Sequence, residues 1–357
     1  MGGTGTVQGR SAVRAYIGSF TSAGGRGVLA ADLDEETGAL TVTGVSDAVA
    51  DPSFLALAGP VLHAVSETEA GAVGAFDVTG PAPRTLGSPV PVDGAAPTHL
   101  ALAAGHLLTA NYTSGSVTAL PLAEDGTARP AATVLRHEGG GPVTGRQAGP
   151  HAHQVLPDPS GRWIVSVDLG TDSVRVCVLD PETGALTLHG ETALRPGTGP
   201  RHLAFHPAGT HAYVLNELEP TLTVCRWDAG AGVLEPLGEV PVVPETPAVP
   251  EGAGGPSYPS EVVVAPDGRF LWVAVRGDDT LAVLALDPEG SEASLVATVP
   301  CGGTWPRDLT LAPSGRHLYA ANERSGDVTW FTLDPQTGIP ARAGSVEAPA
   351  ASCVVFG

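Results

Sequence analysis

Apolar positions along this chain come in short runs, each cut off by turn-forming residues. Val174-Arg175-Val176-Cys177-Val178 and Leu281-Ala282-Val283-Leu284 are rich in β-branched and aliphatic side chains and are too short for core helices. No segment keeps a helical period beyond about two turns. One phrase recurs: a strand, a Pro-x-Gly-Arg turn, a second strand, a polar gap, a third strand ending Leu-Asp, a Thr-Gly turn and a fourth strand. Its clearest copies open at Arg201, Ser260 and Arg307, with turns at Pro207 to Gly209, Pro266 to Arg269 and Pro313 to Arg316. Weaker copies open at Ser53, Thr98 and His153, and a truncated one opens at Ser352. Asp180-Pro-Glu-Thr-Gly184 and Asp334-Pro-Gln-Thr-Gly338 read as hairpin turns.

Seven openings roughly 50 residues apart, with four short strands to a unit, predict an all-β, seven-bladed β-propeller of four antiparallel strands per blade. The last unit stops after one strand, Ser352 to Phe356, and the first, from Ala15, lacks an inner strand. The N- and C-terminal strands should therefore pair in one blade and close the ring, leaving no sheet edge open. Residues 15–357 are expected to form one propeller behind a flexible N-terminal segment, 1–14. An open stack of sheets, or two separate β domains, is the alternative.

The repeat also aligns side chains. The position opening each inner strand holds Ser53, Thr98, His153, Arg201, Ser260, Arg307 and Ser352, polar seven times, and so should face the central channel. The position ending each second strand holds Ser19, Ser66, Asn111, Asp168, Asn216, Val275 and Asn322, which includes every Asn of the chain. Asn there should satisfy backbone groups at a strand-to-loop turn. The residues that follow are Phe20, Glu67, Tyr112, Leu169, Glu217, Arg276 and Glu323, at the mouth or its rim.

Composition narrows the chemistry. The 357 residues carry a formal charge of −20, and all 18 basic residues are Arg. Without Lys there is no Schiff-base lysine and no P-loop lysine. So acidic a surface repels nucleic acid and anionic membranes. The 47 Gly and 33 Pro recur with the repeat and act as turn punctuation rather than as a sign of disorder. Cys177, Cys225, Cys301 and Cys353 are unpaired in spacing and read as reduced core thiols. Met1 to Arg14 has no apolar run, and no stretch is long enough for a membrane helix. A cytoplasmic monomer is expected, without membrane or nucleic-acid partners.

Combining the two positions gathers His153, Arg201, Glu217 and Arg276 at one mouth, with Arg307, Asp308, Glu67 and Glu323 nearby. His or Glu can act as general acid or base, and Arg binds carboxylate or phosphate and stabilises developing negative charge. His151 and Tyr112 flank this set, and Arg146 and Gln147 in the loop after Glu138-Gly139-Gly140-Gly141 could cap a ligand. His151 and His153, two apart on a strand, should share a face, as a metal pair would. No third ligand follows by spacing, so no metal or other cofactor is expected. His63, His106, His211 and His317 fall at second-strand starts, at the opposite end, and read as structural. The Pro-rich insert from Val242 to Pro259 reads as a rim loop or lid.

Tyr16-Ile17-Gly18-Ser19-Phe20, Ala110-Asn111-Tyr112, Pro150-His151-Ala152-His153-Gln154, Gly199-Pro200-Arg201-His202-Leu203, Leu215-Asn216-Glu217 and Pro306-Arg307-Asp308-Leu309 together resemble the lactonase family of seven-bladed propellers. That family holds 6-phosphogluconolactonases and 3-carboxy-cis,cis-muconate lactonizing enzymes, and the resemblance covers nearly the whole chain from Ala15. It implies a catalytic His, two Arg and a Glu at the channel mouth, on His153, Arg201, Glu217 and Arg276. The chain departs from the pattern at Val275, where Asn often precedes that Arg. Three functions are expected, in order. First is hydrolysis of a small sugar or hydroxy-acid lactone in carbohydrate metabolism. Second is the reverse, a muconate-type cyclisation repurposed in a biosynthetic pathway. Third is a non-enzymatic binding platform. The partner in the first two is an anionic lactone or carboxylate.

Overall fold

A computed structural model describes residues 13–244 and 256–357. The proposed flexible segment lies outside the described residues except for its end at residues 13 and 14, as does the middle of the Pro-rich insert.

Seven sheets, each of four antiparallel strands, surround a central channel. The first blade is composite: its inner strand is Ala351–Phe356, followed outward by Arg14–Ser19, Val28–Leu33 and Leu40–Ser46. The predicted closure is present, with Tyr16 opposite Val355 and Gly18 opposite Cys353. The inner strands of blades two to seven are Leu55–Ala58, Pro97–Ala103, Ala152–Pro157, Pro200–Phe205, Tyr258–Val264 and Pro306–Leu311, and each packs on the next around the ring. Blade two departs slightly: its outer edge is two short pieces, Arg84–Thr85 and Val90–Pro91. Pro81, Pro83, Pro89 and Pro91 crowd that segment, and proline cannot donate to a strand ladder. The only helical element among the described residues is a single 3₁₀ turn, Thr21–Ala23.

The core is seven separate clusters, one at each blade-to-blade interface. Val214 faces blade four with Val165 and Val167, while its neighbours Tyr213 and Leu215 face blade six with Leu271 and Val273. Inner and second strands are therefore buried on both faces, which explains their nearly continuous apolar runs. Aromatic side chains tie the blades: Tyr213 donates to Gly290 O at 2.9 Å, Tyr319 to Gly38 O at 2.7 Å and Trp272 to Gly338 O at 2.7 Å. These acceptors lie in the hairpin turns. In two of them Asp34 and Asp334 cap the backbone two and three residues on, and Gly38 and Gly338 take φ of 76° and 69°. His317 packs under Gly38 and His106 under Gly184, so these histidines serve the interfaces.

The channel-facing position has a backbone cause. Ladders between inner and second strands skip one residue at Thr98, His153, Arg201, Ser260, Arg307 and Ser352. In blade two the same skip brackets Ser53: Val65 donates to Phe54 O and Glu67 to Asp51 O. Each opening residue is thus the extra residue of a β-bulge, a feature that re-aims side chains. The Asn side chains bond hydroxyls of the following strand rather than the expected backbone groups: Asn111 Nδ2 donates to Ser116 Oγ and Thr118 Oγ1, Asn216 Nδ2 to Thr221 Oγ1 and Thr223 Oγ1, and Asn322 Nδ2 to Thr329 Oγ1.

Candidate active site

At the mouth, Glu67, Thr98, Tyr112, Arg146, His153, Glu217, Arg276 and Arg307 line a pocket of about 180 Å³. Bulges supply Thr98, His153 and Arg307, and second-strand ends supply Glu67, Tyr112, Glu217 and Arg276.

Glu217 is the hub. One of its oxygens accepts from Arg146 Nη2. The other accepts from Arg276 Nη2 at 2.9 Å and lies 3.3 Å from Arg201 Nε. Burial pushes this carboxyl up, but the Arg276, Arg201 and Arg146 guanidiniums override it and hold it at about 2. Glu217 is therefore an anion whose lone pairs are committed to three cations. Arg276 is anchored further by Tyr258 O at 3.2 Å and Pro259 O at 3.3 Å, so Val275 does not prevent its placement. Arg201 lies behind the pocket wall, donating to Ser260 O. Burial and the charges of Arg276 and Arg307 push Arg201 down to about 9, which still leaves it protonated at neutral pH.

His153 is buried, and no protein group bonds its Nδ1. Burial, then Arg201, His202, Arg307 and Arg276, push it well below the usual histidine range. It is a neutral imidazole at physiological pH. Arg307 pairs with Glu323 at 3.3 Å and Glu67 at 3.7 Å and lies 4.7 Å over the Phe20 ring. Glu67 also accepts from Ser53 Oγ, and burial pushes its carboxyl up despite Arg307.

Four expected substrate contacts sit elsewhere. Gln147 does not cap the pocket: it is buried, its Nε2 donating to Leu169 O at 2.9 Å and Asp172 at 2.7 Å, its Oε1 accepting from Val143 N. That side chain pins its own loop, because an amide both donates and accepts. The Gly139-Gly141 segment is tied down with it, Gly141 N donating to Gln147 O at 2.9 Å. His151 stacks on Tyr112 at 4.4 Å and lies outside the pocket wall. The bulge at His153 breaks strand alternation, so His151 and His153 do not present one face; His153 meets Tyr112 edge-on at 5.6 Å. Glu323 reaches the site only through Arg307. Asp308 lies deeper, accepting from Val354 N at 2.9 Å.

Two features escaped the sequence reading. Below the pocket is a second chamber, lined by Arg201, His202, Glu261 and Asp308, and joined to the pocket through Thr98, Glu67 and Arg307. Phe54, His202, Glu261 and Asp308 of its wall come immediately after the bulges, a position that in the other blades holds His99, Gln154 and Cys353. Five of those seven are His, Gln, Glu or Asp, a signal available in the repeat alignment. The other feature is Trp305 on the rim, at φ 65°, a left-handed conformation rare for bulky residues. Asp279 accepts its N–H at 2.7 Å, and its ring lies 3.3 Å from the Arg324 guanidinium and 5.6 Å from that of Arg276.

Among known proteins, a family described as Lactonase, 7-bladed beta-propeller matches residues 14–356. A 6-phosphogluconolactonase of Bacillus subtilis (strain 168) is 32% identical over 294 residues, 81% of this chain and 82% of that protein. A putative 6-phosphogluconolactonase of Bacteroides fragilis superposes with a TM-score of 0.89 at 26% identity, covering 99% of this chain and 100% of that one. The periplasmic gluconolactonase of Pseudomonas aeruginosa superposes with a TM-score of 0.87 at 29% identity, covering 97% and 99%.

Proposed function

Since this chain belongs to the lactonase family of seven-bladed β-propellers, we propose that it hydrolyses a small anionic sugar or hydroxy-acid lactone in the mouth pocket. The observation that carries this reading is a neutral His153 beside Arg276 and Arg307 in one pocket of about 180 Å³.

His153 accepts a proton from water as the oxygen attacks the ring carbonyl. Arg276 and Arg307, which line the pocket, receive the tetrahedral oxyanion and the phosphate or carboxylate of the substrate. Collapse breaks the ring C–O bond, and His153 returns the proton to the leaving alkoxide. Glu217 is not the base, because its two oxygens are occupied by the Arg146, Arg276 and Arg201 guanidiniums. It positions Arg146 and Arg276 instead. Arg201 holds Glu217 from behind.

Cyclisation in the manner of a muconate lactonizing enzyme needs a proton donor at the alkene. A histidine held well below its usual range is deprotonated at neutral pH, which favours the hydrolytic direction. The reading includes a cytoplasmic monomer working without a metal; the four buried free cysteines suit a reducing compartment.

A pH-stat screen of phosphorylated and plain aldonolactones, with carboxymuconate as the control substrate, tests it. Base uptake on a lactone is expected. Loss of muconate diene absorbance with no lactone opening would overturn it.

A further inference from the structure

We propose that His202, held by Glu261 and Asp308 in the lower chamber, is a relay base that takes the proton from His153 during turnover. The proposal rests on the lactonase reading of the pocket above it.

The geometry comes from three successive blades. His202 Nδ1 lies 2.7 Å from Glu261 Oε2. Glu261 Oε1 accepts from Val262 N at 3.0 Å, and Asp308 shares the chamber wall with Glu261. His202 Nε2 is buried with no protein partner, as is His153 Nδ1, and the two rings lie 5.0 Å apart at 67°. The chamber beside His202 has a volume of about 10 Å³ and shares Thr98 with the mouth pocket that His153 lines, room on the order of one water molecule. A buried nitrogen with nothing to bond is costly unless a water or a proton uses it.

The charges around this group set the direction of transfer. Arg201, Arg276 and Arg307 face both rings and disfavour an imidazolium at either one. His99 meets His202 edge-on at 5.5 Å and is itself pushed well below its usual range by burial. Glu217 is committed to three guanidiniums, and Glu67 to Arg307 and Ser53. Burial pushes both Glu261 and Asp308 up, and Glu261 raises Asp308 further. The pair therefore takes up a proton more readily than free carboxylates do.

Lactone hydrolysis at neutral pH yields a carboxylate and one net proton. In the relay, His153, having returned its first proton to the leaving alkoxide, takes the proton that the new carboxylic acid sheds and passes it through a water to His202 Nε2, and His202 passes its Nδ1 proton to Glu261. The proton leaves by the reverse route when the product departs.

Two measurements test this. In substrate-free protein with ¹⁵N-labelled histidine, the signal lost in His202→Gln should show Nδ1 protonated and Nε2 bare at pH 7. An Nε2-protonated tautomer or an imidazolium would overturn the relay, whatever the substrate proves to be. In turnover, Glu261→Gln keeps the shape and removes the charge. It should lower kcat at least tenfold with KM within twofold, and enlarge the solvent deuterium isotope effect. A kcat within twofold of wild type across pH 5 to 9 would overturn the proposal, and Asp308→Asn gives the same readout should Glu261→Gln not fold. Wild-type protein that opens no lactone refutes the lactonase reading alone, since the tautomer test stands without substrate.

Discussion

Replacing Glu217 by Gln isolates the charge at the centre of the site, because Gln is close to an isostere of the protonated acid. The wild-type carboxyl sits at about 2, against 4.5 for a free glutamate. A group depressed in the folded state contributes stability above its unfolded value and loses it as pH falls toward the folded one. At 1.36 kcal/mol per pH unit, the ionised form contributes about 3 kcal/mol at pH 7. The same linkage leaves only about 1 kcal/mol at pH 3. With an unfolding entropy near 2.1 cal/mol/K per residue, Glu217→Gln should lower Tm by about 4 °C at pH 7. Urea unfolding, followed by near-ultraviolet circular dichroism at pH 7, 5 and 3, reads the gap directly. The gap should be full at pH 7 and 5 and less than half as large at pH 3. A gap below 1 kcal/mol at pH 7, or one constant with pH, would refute the picture of an anion clamped by Arg146, Arg201 and Arg276.

Further expectations bear on turnover and packing. Arg276→Ala should lower kcat on the cognate lactone by about two orders of magnitude or more, the scale of losing one oxyanion donor; stopped pH-stat rates check this. With His153 held well below its usual range, the acid limb of kcat/KM should lie well below ordinary histidine values; a limb at those values would point to another base. Gln147→Ala should cost about 1–3 kcal/mol by stranding Leu169 O and Val143 N while leaving the shape of the pH profile unchanged. Cys177, Cys225 and Cys301 are pushed up to about 12 by burial, so a thiol reagent should modify them only after denaturation.

The repeat made much of this molecule legible. Periodic turn residues and the truncated last unit contain the blade number and the closure, because both follow from local chemistry repeated seven times. Ser53, Thr98, His153, Arg201, Ser260, Arg307 and Ser352 could be aligned as one ring without any coordinates. What could not be read was where each member of the ring points. A bulge makes two successive residues face the channel, and strand alternation gives no warning of it. So His202, Glu261 and Asp308 line a lower chamber where one pocket was expected, and His151 stacks on Tyr112 outside the pocket wall. Gln147 shows another limit: a polar residue in a Gly-rich loop looks like a ligand contact, yet long-range bonds to Leu169 and Asp172 bury it. Arg201 shows a third, since its role depends on whether its guanidinium meets the pocket or the back of Glu217.

The central claim is that the neutral His153 at the Arg-lined mouth carries lactone hydrolysis. Base uptake by wild type and His153→Gln on a phosphorylated aldonolactone tests it most directly. The account predicts wild-type turnover and a loss of 10²-fold or more in kcat for the variant, the scale of general base catalysis, with the fold intact by circular dichroism. A folded His153→Gln protein that opens the lactone at the wild-type rate would contradict it.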